Sequence, residues 1–172
     1  KGRDERPFEI TFTQADGTPE RLLASAIIDA SGTWTTPNPA GANGRPAIGE
    51  TESHARIATG IPDVLNTARA RYAGRKVIVI GSGHSAMDSV LALARLKDEE
   101  PATEILWAMR SEPGHKTFGG GAEDQLAQRG ALGARAKSLV DSGKVKIVAP
   151  FRVQGFSLRQ TGIEVLAEGG GK

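Results

Sequence analysis

Five residues, Lys76-Val77-Ile78-Val79-Ile80, run directly into Gly81-Ser82-Gly83-His84-Ser85-Ala86 and then into a helical pattern. This junction constrains the fold more than any other stretch of the chain. A short β-branched run without polar interruption suits a central parallel strand covered on both faces. From Ser85 to Lys97, Met87, Val90, Leu91, Leu93 and Ala94 recur at helical spacing. A strand that turns through glycines into a helix builds a phosphate cradle. Gly81 permits the tight turn, and Gly83 presents no Cβ to an approaching pyrophosphate. Ala86 is small enough for the helix to lie close to the strand. The unpaired N–H groups and positive end of the helix then face the phosphates, across Ser82, His84 and Ser85. Ser85 adds a hydroxyl donor, and His84 faces solvent or a ribose rather than chemistry. The alternative is a glycine-rich turn that binds nothing.

The surrounding pattern extends this unit. Thr103 to Met109 is expected as a second strand, Glu123–Arg129 and Ala134–Asp141 as helices, and Val145–Val148 as a third strand. Gly130 and Gly143 are the expected helix stops. Strand, helix, strand, helix, strand is the grammar of a right-handed βαβαβ unit. The fold class is therefore α/β, with a Rossmann-like parallel sheet and flanking helices. Phe151–Leu158 and Ile163–Leu166 add an antiparallel hairpin, turning at Gln160-Thr161-Gly162. Upstream, Phe8–Thr13 alternates apolar and polar residues, Asp16-Gly17 supplies a turn, and Arg21–Ala30 forms a second apolar run. Prolines and glycines break all periodicity between 31 and 60, and Pro62–Tyr72 suits a short helix.

The chain opens Lys1-Gly2-Arg3 without Met and closes Gly169-Gly170-Gly171-Lys172, as expected of a piece incomplete at both ends. Its expected organisation is residues 1–34 as strands, 35–60 as linker, and 61–172 as the nucleotide-binding domain. At 172 residues, one ordinary domain fits and two full ones do not. Twenty-two Lys and Arg against 20 Asp and Glu give a net charge of +2, no basis for expecting nucleic acid. No apolar run approaches a membrane span. Cys is absent, which excludes a thiolate metal site, a catalytic Cys and a redox dithiol within this sequence. The three His are scattered, and no metal site is expected. No signal-peptide pattern opens the chain, and a cytoplasmic location is expected.

The second strand bears on the choice of nicotinamide cofactor. An NAD site places Asp or Glu at this strand's end to bind the ribose hydroxyls. Here the sequence is Trp107-Ala108-Met109-Arg110-Ser111, and Arg110 offers a cation to a 2′-phosphate. NADP(H) is the expected ligand, with His115 and Lys116 as lesser candidates for the same phosphate. No residue is a convincing acid, base or nucleophile. Tyr72 and Lys76 match a dehydrogenase Tyr-x-x-x-Lys by count only, because Gly74 interrupts them.

Ala30-Ser31-Gly32-Thr33-Trp34, followed by Pro37 and Pro39, resembles the turn that links the two domains of flavoproteins with two dinucleotide-binding domains. That group includes flavin-containing monooxygenases and thioredoxin-reductase-like enzymes. Gly81–Ala86 falls where its NADPH fingerprint stands. Gly119-Gly120-Gly121-Ala122-Glu123-Asp124-Gln125-Leu126 and Arg129-Gly130-Ala131-Leu132-Gly133 resemble an FAD-dependent oxidoreductase branch of it. The likeness covers most of residues 8–168, with specific motifs only at the two loops. It implies the NADPH-binding domain of an oxidoreductase, with residues 1–34 as edge strands of an FAD domain that would lie mainly outside this sequence. Ser31 and Gly32 would then line the junction. The partners implied are the dinucleotide, that FAD domain, or a second copy paired through exposed strand edges. The monooxygenase motif Phe-x-Gly-x-x-x-His is not matched: Ala47 stands at the Phe position, and Gly49 and His54 are one residue too far apart. A dinucleotide-binding or regulatory module without catalysis, and a self-sufficient NADP-dependent dehydrogenase, are the competing expectations.

Overall fold

Lys76–Ile80 (β3), Glu104–Ala108 (β4) and Lys146–Val148 (β5) form a three-stranded parallel sheet in the order β3-β4-β5. This is a computed structural model, and it describes residues 6–28, 37–114, 117–119 and 127–170. Two compact units divide the chain, residues 1–35 and 36–172. In the first, Phe8–Thr13 (β1) pairs antiparallel with Pro19–Ala24 (β2) around the turn at Asp16-Gly17. The period of two places Phe8, Ile10, Phe12, Leu22 and Ala24 on one face of this hairpin. Glu9 and Arg21 pair on the other at 3.2 Å.

In the second unit, helix His84–Glu99 (α2) connects β3 to β4, and Ala127–Asp141 (α3) connects β4 to β5. Each crossover steps one strand in the same direction. Right-handed connections then place both helices on one face of the sheet, where they pack on each other. The strands alternate accordingly. Val77, Val79, Ile105, Trp107 and Ile147 join the core under the helices with Val90, Leu93, Leu96 and Ala136. Ile78, Ile80, Ala108 and Val148 face the opposite way. There they meet the hairpin of Val153–Arg159 (β6) and Gly162–Ala167 (β7), through Val153, Phe156, Val165 and Ala167. The fold is thus mixed α/β, with a parallel sheet between two helices and an antiparallel hairpin.

Several local outcomes differ from the sequence pattern. Within the described sheet β3 is an edge strand and β4 the middle one. Val77–Ile80 are half-buried against a core on each face of the sheet, which accounts for the apolar run whatever the strand's place across the sheet. Pro62–Tyr72 is not a continuous helix: turns occupy 64–68, and only Arg69–Tyr72 (α1) is helical. The Asp63 carboxylate accepts from the Thr67 amide at 3.1 Å and from the Asn66 side chain at 2.9 Å. These local bonds compete with helical ones, and they hold the Asp63 carboxyl below its usual range. The stretch 37–60 is loop by conformation yet firmly tied. Ala42 donates to Val153 and Ile48 to Gln154, both at 3.0 Å, and Ala47 is buried.

Helix α3 runs through both Gly130 and Gly133 where two shorter helices are expected. Gly133 has a packing reason. A Cβ built there would collide with the carbonyl oxygen of Phe118, so the bare backbone lets the 117–119 turn rest on the helix. Ala ordinarily stabilises a helix interior over Gly by about 0.5–1 kcal/mol. Here the sign reverses, because the collision is with backbone, and overpacking costs about 1–3 kcal/mol. Gly133→Ala should therefore lower the melting temperature by several degrees, as followed by circular dichroism.

Candidate functional site: the β3–α2 glycine turn

Parallel strands bring their C-terminal ends to one edge of a sheet, and open α/β sheets bind ligands there. The register Ile80↔Ala108 puts the Gly81–Gly83 turn and the end of β4 side by side on that edge. Gly81 has φ of +121°, a conformation other residues rarely adopt. Its amide donates to the Ala108 carbonyl at 3.0 Å, and its carbonyl accepts from Trp107 Nε1 at 2.7 Å. A Cβ at Gly81 would lie 4.0 Å from the Ala86 Cβ, so Ala86 stands at contact distance from the turn.

Gly83 caps α2 with extended backbone, φ −82° and ψ 175°, and its carbonyl accepts from Ala86 and Met87, each at 3.1 Å. A Cβ built there meets nothing within 4 Å. Ser82, Gly83, His84 and Ser85 are all exposed. Among the described residues their four amides have no hydrogen-bond partner. Four free donors at the positive end of a 16-residue helix, with open space before them, form a cradle suited to a phosphate anion. The Ser85 hydroxyl is free to join them, since Ser89 Oγ engages only the Ser85 carbonyl, at 2.8 Å.

Arg110 lies two residues past β4, exposed, and its guanidinium reaches the Ala42 carbonyl only at 3.4 Å. That contact is at the outer limit of a hydrogen bond, and it leaves most of the fork available to an anion. Sequence reasoning missed two features of this edge. Glu112, also exposed, follows Arg110 by two residues and is the first carboxylate beyond the strand. The Trp107–Gly81 bond joins residues 26 apart in sequence, and no local pattern announces it. Ser31, Gly32, His115 and Lys116 lie outside the described residues, as does the whole run 120–126.

The remaining features lie elsewhere. His54 accompanies a short 3-10 turn, where its Nδ1 stands 2.9 Å from the Thr51 carbonyl. Tyr72 ends α1 and Lys76 opens β3, so the two share no helix face. A groove of roughly 260 Å³ lies between α2 and α3 at Leu91, Arg95, Arg135 and Lys144, toward the C-terminal half of α2 and away from the glycine turn. Among the described residues no group of three or more His, Asp or Glu could hold a metal. No described helix is long and apolar enough to cross a membrane.

No protein-family model matches the chain, and a search of curated proteins returns no match.

Proposed function

We propose that this chain is an NADP(H)-binding domain of Rossmann type, which presents the nicotinamide to FAD in a flavin-dependent oxidoreductase. The observation that carries the reading is the set of free amides at Ser82–Ser85 in front of a glycine with no Cβ. The strand order supports it, because β3-β4-β5 is the order of the first half of a dinucleotide-binding sheet. The donor set fits the ligand: a pyrophosphate carries spread negative charge, and backbone N–H groups at a helix start recognise that charge. Arg110 is the cation available to a 2′-phosphate on the adjacent strand end. In such an enzyme the nicotinamide supplies hydride to the flavin, while the protein binds and orients. Within this chain Gly81 shapes the turn, Gly83 admits the pyrophosphate, Ser82–Ser85 donate to it, and Ala86 keeps the helix close. Ser31 and Gly32 belong to the junction with the flavin domain in this reading.

Amide chemical-shift mapping tests the assignment residue by residue. NADPH should shift the resonances of Gly81–Ala86 and Arg110, and leave Arg95 and Arg135 in the α2–α3 groove unmoved. FAD provides the complementary test. The described residues contain one strand–glycine-turn–helix unit, which the proposal assigns to the nicotinamide cofactor. The purified chain should remain colourless after incubation with FAD. A yellow protein with stoichiometric flavin would reassign the turn to FAD and overturn the reading.

A further inference from the structure

Gly81 is held by β4 at both of its backbone polar groups, and one of the two holders is a side chain. Trp107 is fully buried on the helix side of the sheet, and its indole donates to the Gly81 carbonyl at 2.7 Å. A buried indole N–H needs an acceptor, and this carbonyl is the one it has. Glycine at φ +121° is free to adopt many other conformations, so its own sterics do not fix the direction of the Gly81–Ser82 peptide. An external hydrogen bond does. In a trans peptide the C=O and the following N–H point in opposite directions. With the Gly81 carbonyl drawn toward Trp107, the Ser82 N–H is aimed away from the core, and it is one of the four amides without a partner.

The indole is itself braced. The Phe118 ring meets it edge-on, with centroids 6.0 Å apart and planes at 79°. Phe118 sits close to α3 because residue 133 is glycine. A continuous line of contact therefore runs from α3 through Phe118 and Trp107 to the turn.

We infer that Trp107 is a positioning residue for the phosphate cradle: its indole N–H fixes the Gly81–Ser82 peptide so that the Ser82 amide faces the pyrophosphate. The inference rests on the dinucleotide reading above, and its test separates the two. Trp107→Phe keeps an aromatic ring in the core and removes the donor. NADPH affinity should fall about five- to tenfold, the scale of one hydrogen bond. Adenosine 2′-monophosphate, which lacks the pyrophosphate, should bind the variant as it binds the original. In the ligand-free variant the backbone order parameter of Ser82 should drop while those of β3 and β4 hold. If the Phe variant fails to fold, benzothienylalanine at position 107 replaces the N–H by sulfur at nearly unchanged volume and serves the same comparison. Equal losses for NADPH and adenosine 2′-monophosphate, or an unchanged Ser82 order parameter, would overturn the inference. Should the original protein bind no NADPH, the dinucleotide reading falls. The Ser82 order parameter then decides alone whether Trp107 holds the turn.

Discussion

Gly83→Val should yield a folded protein that binds a dinucleotide on the order of a hundredfold more weakly. The backbone at this position is extended, with φ −82° and ψ 175°, which valine adopts without strain. A Cβ there meets no protein atom within 4 Å. The cost to folding is limited to a poorer helix cap, about 1 kcal/mol. The ligand meets a different situation. The free amides of Ser82–Ser85 border the same space, and a branched side chain would stand where the pyrophosphate must approach. A loss of on the order of a hundredfold in affinity is expected, equivalent to about 3 kcal/mol. Calorimetry measures the affinity, and a thermal melt within a few degrees of the original establishes the fold. Intact binding in a folded variant would place the phosphate cradle elsewhere.

Arg110→Ala should remove the preference for NADPH over NADH. Its guanidinium holds only the 3.4 Å contact to the Ala42 carbonyl, so its removal costs the fold little. One charge-assisted bond to a phosphate is worth roughly 1.5–3 kcal/mol, about ten- to a hundredfold in affinity. NADH carries no 2′-phosphate, and its binding should be nearly unchanged. The prediction has an internal control in Glu112, the exposed carboxylate two residues further on. Glu112→Gln removes a like charge from the neighbourhood of the phosphate and should tighten NADPH, not NADH. Paired titrations of both cofactors with each variant check these expectations.

The parts of this fold that announce themselves in sequence are those governed by local periodicity. The run Lys76–Ile80 marks a strand with apolar contacts on both faces, and the half-buried Val77 and Val79 do face the helices while Ile78 and Ile80 face the hairpin. The helix after Gly83 is equally plain, although Leu96, fully buried near its end, escapes the expected apolar face. What stays hidden depends on contacts between distant residues. Gly130 and Gly133 look like breaks in a helix because glycine has low helical propensity. The turn at Phe118, which makes Gly133 necessary, cannot be inferred from the spacing. The loop 37–60 shows no period, yet its backbone is bound to β6 by hydrogen bonds that leave no mark on composition.

The candidate site divides along the same line. The free amides and the open face of Gly83 follow from the Gly-x-Gly spacing, since a helix start leaves its first N–H groups unpaired. Arg110 is legible by its position after the second strand. Trp107 is not, because in sequence it is one more apolar residue of β4, and only the fold turns its N–H toward Gly81.

Calorimetric titration of the unmodified protein with NADPH, and separately with NADH, tests the central claim most directly. The cradle at Ser82–Ser85 and the cation at Arg110 predict saturable one-to-one binding of NADPH, tighter than NADH by about ten- to a hundredfold. No saturable heat from either cofactor would contradict the cradle, and equal affinities for the two would contradict the role of Arg110.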